Sequence, residues 1–136
     1  MPTDAIPSSA ARALRLAVPA ALDTVEPTRR EVVKFVGDLT AERRYRLELI
    51  LEETLMNRAM HAGSPTPTDL TVAVEDGQIV LTFVDDGVAF DPLAPPAPRG
   101  DAPGGRGLML TRRAATSCAY ARTDGRNVFT VRLALT

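Results

Sequence analysis

The sequence has few of the residues that form disulfides or bind transition metals. Its 136 residues include one cysteine, Cys118, one histidine, His61, and no tryptophan. A lone cysteine cannot form an internal disulfide, and one cysteine with one histidine cannot supply the ligands of a zinc or iron-sulfur site. These scarcities argue against a disulfide-rich secreted domain and favour a reducing compartment.

The chain also lacks an excess of charge of one sign and a long apolar run. It has 16 basic and 17 acidic residues, a net charge of -1 and a pI near 5.8. Such a surface has no basic bias that would attract DNA, RNA or acidic membranes. Residues 1–22 contain acid and proline and resemble neither a signal peptide nor a transmembrane helix. We therefore expect a cytoplasmic protein without nucleic acid or membrane partners.

Apolar side chains, in contrast, are sufficient for one core. Hydrophobic residues make up 45% of the sequence, which at this length fits a single compact domain. No repeat with a period of about 20 to 50 residues is visible, which excludes a solenoid. We expect one domain over residues 12–136, preceded by a flexible tail over residues 1–11.

Hydrophobic periodicity predicts the order strand, helix, helix, two strands, loop, helix, two strands. Apolar residues alternate within 12–18 as in a half-buried strand, and a modest helix after residue 30 ends at Gly37. Thr40 is placed to cap a longer helix that runs to Gly63. Because its apolar residues cover most of its circumference, this second helix is expected to be mostly buried.

Two Asp-Gly pairs indicate hairpins. Asp76-Gly77 and Asp124-Gly125 each join two runs of alternating apolar residues. Between the hairpins lie a proline-rich loop, residues 85–103, and a helical stretch, residues 106–116. The pattern predicts an α+β fold, a two-layer sandwich whose mostly antiparallel sheet is covered by helices on one face.

Three polar features interrupt this apolar pattern. Glu53 and Asn57 lie one turn apart on the long helix, Asp85-Asp86-Gly87 follows a strand, and a glycine cluster at 104–107 precedes the last helix. Each feature alone has an ordinary explanation. The helix pair fits a solvent-exposed stripe, the Asp-Asp-Gly segment fits a turn, and the glycine cluster fits a tight junction between a loop and a helix. Together they supply the groups that a nucleotide needs.

The chemistry of each group fits one part of a nucleotide. Backbone N–H groups at a helix N-terminus bind phosphate, and Gly105 and Gly107 let them close around it. Mg²⁺ takes few protein oxygens, so the side-chain carbonyl of Asn57 with phosphate oxygens would suffice. Asp85 accepts a hydrogen bond from an exocyclic amine, which favours adenine. Neither a Rossmann fingerprint after an early strand nor a P-loop motif is present.

The segments EETLMN, VDDGVAFDP and GGRGL resemble the N, G1 and G2 boxes of the Bergerat or GHKL fold, which gyrase and histidine kinases share. The resemblance covers nearly the whole chain from about residue 12. It is closest to the stand-alone anti-sigma factor serine kinases, because no segment before residue 40 fits the dimerising helical pair of a histidine kinase. It implies a two-layer α/β sandwich of the Bergerat type.

The resemblance implies roles for two residues of the long helix. Asn57 matches the magnesium-binding asparagine of the N box, and Glu53 matches the carboxylate that activates the attacking hydroxyl, the catalytic residue. His61 matches a histidine that is frequent in this helix, and we do not expect it to be catalytic.

The resemblance also implies the residues that bind ATP. Asp85 matches the aspartate that reads adenine, and Gly87 the glycine that lets the base approach. Gly105 and Gly107 match the pair that cradles the phosphates. Thr130 matches the threonine beside the adenine site.

The function implied is that of an ATP- and Mg²⁺-dependent anti-sigma factor serine kinase of a partner-switching system. Such a kinase phosphorylates a serine on a STAS-type anti-sigma antagonist, sequesters a sigma factor or similar regulator, and commonly pairs as a homodimer.

Three departures from the family pattern leave alternatives open. Ala89 replaces a second glycine, Arg58 replaces the usual alanine, and the lid between Pro92 and Pro103 is short. A shorter lid encloses the triphosphate less completely, which weakens phosphoryl transfer. The alternatives are a non-catalytic partner-binding module with a degenerate ATP site and a detached ATPase domain of the histidine-kinase type.

Overall fold

The computed structural model describes residues 11–61, 66–89, 91–93 and 111–136, which form one sheet and the helices packed against it. The elements, in chain order, are β1 (Arg12–Val18), a 3-10 helix (Leu22–Thr24), α1 (Val25–Val36), α2 (Ala41–Met60), β2 (Thr68–Glu75), β3 (Gln78–Asp85), β4 (Ser117–Thr123) and β5 (Arg126–Ala134). Residues 111–114 are also helical. No helix within these ranges is both long and apolar enough to cross a membrane.

The five strands have the order β1-β2-β3-β5-β4, and each neighbouring pair is antiparallel. Both predicted hairpins are confirmed. Asp76 and Gly77 have φ angles of 50° and 72°, and Asp124 and Gly125 have 51° and 75°. Two successive positive φ angles are those of a type I′ turn, whose twist matches that of the flanking strands.

The pairing register shows which residues lie side by side at the two ends of the sheet. Asp85, the last residue of β3, pairs with Asn127 near the start of β5. At the opposite end of the sheet, Arg12 pairs with Val74 and Ala134 pairs with Gln78. The start of β1 and the end of β5 therefore lie at the same end of the sheet, three strand spacings or about 14 Å apart.

The core lies between the inner face of the sheet and the helices. Alternate strand residues point into it, as the period of two requires. Apolar side chains from both layers are fully buried: Val32, Leu47, Ile50, Leu51, Leu70, Val72, Ile79, Leu81 and Val131. This arrangement confirms the predicted two-layer sandwich.

Helix α1 is longer at its start than the sequence predicts. It begins at Val25, whereas the valine pattern indicated a start after residue 30. Pro27 is tolerated because it lies in the first turn, where its missing N–H would have no helical partner. The helix ends before Gly37, as predicted, with that glycine at a φ of 87°.

Helix α2 begins as predicted but is less buried than expected. The side chain of Thr40 accepts a hydrogen bond from the backbone N–H of Arg43, which confirms the cap. The helix ends at Met60, whereas the predicted stop at Gly63 lies outside the described residues. Residues at both ends of the helix are exposed, among them Met56 and Met60 at 37% and 48%, so the expectation of a mostly buried helix is wrong at both ends.

Candidate functional site

A pocket opens between the C-terminal half of α2 and the adjacent ends of β3 and β5. Its lining includes two residues from each element: Asn57 and Arg58, Phe83 and Asp85, and Asn127 and Phe129. The two phenylalanine rings stack with centroids 6.1 Å apart. An apolar floor with a few converging polar groups is typical of a small-molecule site.

Asn57 brings an unpaired oxygen into this pocket. Its side chain is 6% exposed, and its Oδ1 has no hydrogen-bond partner in the part of the chain that the structure describes. The hydroxyl of Thr54, also in the pocket wall, is likewise buried and unpaired there. A buried unpaired polar group costs about 1–3 kcal/mol. Oxygen atoms of this kind suit a hard cation such as Mg²⁺, so the residues present fit a magnesium ion.

The two carboxylate oxygens of Asp85 have different surroundings. Oδ1 accepts hydrogen bonds from the backbone N–H of Gly87 at 2.9 Å and from Nδ2 of Asn127 at 3.0 Å. Oδ2 lies 3.9 Å from Nε of Arg58, too far for a hydrogen bond. The protein therefore fixes the carboxylate through Oδ1, while Oδ2 has no hydrogen bond within the described residues.

Gly87 keeps space open between two charged side chains. A Cβ at this position would lie 2.9 Å from Nη1 of Arg58 and 3.1 Å from Oδ1 of Asp85. A side chain at this position would displace the end of the Arg58 side chain, whereas glycine leaves it in place. The structure thus places Gly87 beside Asp85, and Asp85 lines the same pocket as Asn57.

Asn127, which the sequence analysis did not identify, organises the rim of the pocket. Its Nδ2 donates to Oδ1 of Asp85 and to the carbonyl of Val88, at 3.0 and 2.9 Å. Its Oδ1 accepts from the hydroxyl of Tyr120 at 2.5 Å and from Nη1 of Arg122 at 3.1 Å. One buried amide therefore joins the end of β3 to β4 and β5.

Thr130 lies on the other face of the sheet. It pairs with Thr82 and Ala119, whereas Asn127 and Phe129 are the β5 residues that line the pocket. The prediction that Thr130 lies beside the base is wrong, because side chains of a strand alternate between faces. A polar residue in the otherwise apolar inward series of β5 was the signal that could have identified Asn127.

Glu53 lies one turn before Asn57 but is not among the described residues that line the pocket. Partial burial, and secondarily the charge of Glu52, raises the pKa of its carboxyl group. Gly105 and Gly107 lie outside the described residues. His61 follows α2 and lines the pocket.

Comparison with known proteins identifies this arrangement. The family model described as histidine kinase-like ATPase domain matches residues 18–133. The chain belongs to this family. The match confirms the resemblance drawn from the three motifs, and with it the use of ATP.

A curated relative narrows the class of this ATPase domain. The serine/threonine-protein kinase BtrW of Bordetella bronchiseptica is 38% identical over 101 residues, which cover 68% of this chain and 71% of the relative. This similarity confirms the assignment to the serine/threonine kinase type within the family.

Solved structures share the fold of the ATPase domain. A Mycobacterium tuberculosis structure containing RsbU and RsbW domains matches with a TM-score of 0.70 and 12% identity, over 91% of this chain and 32% of the other. The ATPase domain therefore spans about a third of that chain. The Acinetobacter baumannii histidine kinase AdeS matches with a TM-score of 0.55 and 17% identity, over 92% of this chain and 69% of the other.

Proposed function

We propose that the chain is a cytoplasmic anti-sigma factor serine kinase of a partner-switching system. It transfers the γ-phosphoryl group of ATP to a serine of a STAS-type antagonist protein, and it sequesters a sigma factor or similar regulator, as a homodimer. The observation that carries the proposal is the convergence of Asn57 and Asp85 on one pocket, with an unpaired buried oxygen on Asn57 and with Gly87 donating to Asp85.

In this proposal the residues of the pocket bind and orient the nucleotide. Oδ2 of Asp85 accepts a hydrogen bond from the 6-amino group of adenine, while Phe83 and Phe129 contribute apolar surface to the base site. The backbone of Gly105 and Gly107 holds the phosphates, as the G2 resemblance implies. Asn57 would hold Mg²⁺ through Oδ1. When bound, the ion neutralises phosphate charge.

Glu53 would act as the general base. It accepts the proton of the serine hydroxyl as that oxygen bonds to the γ-phosphorus, and ADP leaves with the bridging oxygen. The raised pKa of Glu53 makes its carboxylate a stronger base than an ordinary glutamate.

Substitution of Glu53 and Asn57 tests the two assigned roles. We expect Glu53→Gln to retain ATP binding within about twofold and to lower phosphorylation about 100-fold or more, since general-base catalysis contributes that much. We expect Asn57→Ala to lose magnesium-dependent ATP binding as well as phosphorylation. Calorimetry with ATP and MgCl₂ measures binding, and acid-stable phosphate on the antagonist measures transfer.

Glu42→Gln is the matched control, because it removes a carboxylate from the first turn of the same helix, away from the pocket. It should phosphorylate the antagonist at the wild-type rate. Wild-type transfer by Glu53→Gln would refute the assignment of the base, and acid-labile phosphate would indicate the histidine-kinase type instead.

A non-catalytic partner-binding module is a second candidate. It is favoured by the position of Glu53 outside the described pocket lining and by Ala89 in the G1 box. Under this alternative, the wild-type chain binds ATP or the sigma factor but transfers no phosphate. The same two measurements therefore separate the candidates.

A further inference from the structure

We propose that Arg58 is a second base-reading residue, whose Nη1 donates a hydrogen bond to the N1 atom of adenine. The inference rests on the proposed nucleotide site. It concerns a position where the resemblance leads us to expect alanine, so the expected family pattern gives this side chain no role.

Arg58 is held in place by the protein. Its side chain is 9% exposed, its Nε donates to Oγ1 of Thr68 at 3.0 Å, and its Nη2 donates to the carbonyl of Thr66 at 2.9 Å. It also lies in the last turn of α2, where the helix dipole favours a positive charge. The guanidinium is therefore fixed by groups other than Asp85.

The fixed guanidinium lines the pocket beside Gly87. Its Nη1 lies against this glycine, since an added Cβ there would be 2.9 Å from the nitrogen. Nη1 has no acceptor within the described part of the chain, and Asp85 Oδ2 has no hydrogen-bond donor there. Arg58 and Asp85 both line the pocket, so this donor and this acceptor border the same cavity.

This pair complements the edge of adenine. The 6-amino group of adenine is a donor, and the neighbouring ring atom N1 is an acceptor. Asp85 Oδ2 can accept from the amine while Arg58 Nη1 donates to N1. Because the 3.9 Å separation of Nε and Oδ2 is not a hydrogen bond, base binding does not have to break one between the two side chains.

The test compares two nucleotides that differ at the N1 atom. ADP has N1 as an acceptor, and 1-deaza-ADP has a C–H group in its place. We expect Arg58→Met, which retains the aliphatic volume, to weaken ADP binding about tenfold or more, as expected for the loss of a charge-assisted hydrogen bond. The same variant should bind 1-deaza-ADP within about twofold of the wild-type affinity. Calorimetry at pH 7 measures all four affinities.

Two further variants separate base reading from a structural role. Arg44→Ala removes an exposed arginine of the same helix and should leave the affinity for both nucleotides unchanged. Arg58→Lys retains a donor and serves if Arg58→Met unfolds; we expect its affinity for ADP to fall and its affinity for 1-deaza-ADP to stay at the wild-type value.

The experiment distinguishes failure of this inference from failure of the proposed function. If the wild-type chain binds no ADP, the nucleotide site itself is refuted. If it binds ADP and the Arg58 variants weaken ADP and 1-deaza-ADP by equal factors, or weaken neither, Arg58 does not read N1 and the inference is overturned.

Discussion

Asp85 and Arg58 each use some polar atoms for hydrogen bonds within the protein and have another polar atom without such a bond among the described residues. Asp85 uses Oδ1 for Gly87 and Asn127 and leaves Oδ2 without a hydrogen bond in the described structure. Arg58 uses Nε and Nη2 for Thr68 and Thr66. A group that is fixed at one atom and available at another is preorganised, which reduces the entropy lost on binding.

Asn127 provides a test of this preorganisation. We expect Asn127→Ala to lower the free energy of unfolding by about 1–3 kcal/mol, because it leaves buried partners unpaired. It should also weaken ADP binding, because Asp85 loses one of the donors that fix Oδ1. Urea unfolding and calorimetry measure the two effects.

The control for Asn127 lies on the same strand. Thr130→Ala alters the outer face of β5, so it should leave the affinity for ADP unchanged. A larger loss of affinity with Thr130→Ala than with Asn127→Ala would contradict the placement of these residues.

The raised pKa of Glu53 predicts a pH-dependent effect on stability. A carboxyl group whose pKa is higher in the folded state destabilises the fold when it is ionised, that is, at pH values above its folded pKa. We therefore expect Glu53→Gln to unfold at higher urea concentration than the wild type at pH 7. The difference should shrink as pH falls through the raised pKa and disappear below the ordinary value of 4.5.

Urea unfolding of both proteins at pH 7 and pH 4 measures this difference. A gain in stability that is equal at the two pH values would show that ionisation of Glu53 is not its cause.

Among the secondary-structure elements, helix α2 contributes residues both to the hydrophobic core and to the pocket. Its middle turns bury Leu47, Ile50 and Leu51, while its last turns contribute Asn57 and Arg58 to the pocket. Arg43 ties the helix to the end of β5 through a 2.7 Å hydrogen bond to the carbonyl of Ala134. The same helix thus fixes the position of the pocket relative to the sheet.

Two substitutions on α2 test which face is buried. We expect Leu51→Ala to lower the free energy of unfolding by about 2–5 kcal/mol, because the side chain is fully buried and its loss leaves a cavity. Met56→Ala should cost less than about 1 kcal/mol, because Met56 is 37% exposed. Thermal or urea unfolding measures both, and equal losses would contradict the orientation of the helix.

For the whole molecule, features set by local chemistry were predictable from the sequence. The Asp-Gly turns, the cap at Thr40 and the stop at Gly37 depend on neighbouring residues, and the structure confirms them. The motif order predicted the family, and the comparisons confirm it.

Features set by distant contacts were not predictable in the same way. The hydrogen bond between Asp85 and Asn127 joins residues 42 apart in sequence, and the resemblance that suggested Thr130 gave no information on this contact. The hydrogen bonds of Arg58 to Thr66 and Thr68 depend on how β2 packs beside α2. The exposure of Met56 and Met60 depends on which residues pack around α2, and helical spacing alone does not predict these contacts.

The closeness of the start of β1 to the end of β5 has a consequence for the order of the chain. About 14 Å separates these ends, a distance that a linker of five or six residues spans. A circular permutant could therefore join them and open the chain between β3 and β4, with every strand keeping its neighbours. In this permutant the N box would follow β5 in the sequence and precede β2, and the pairing of strands in the sheet would be unchanged.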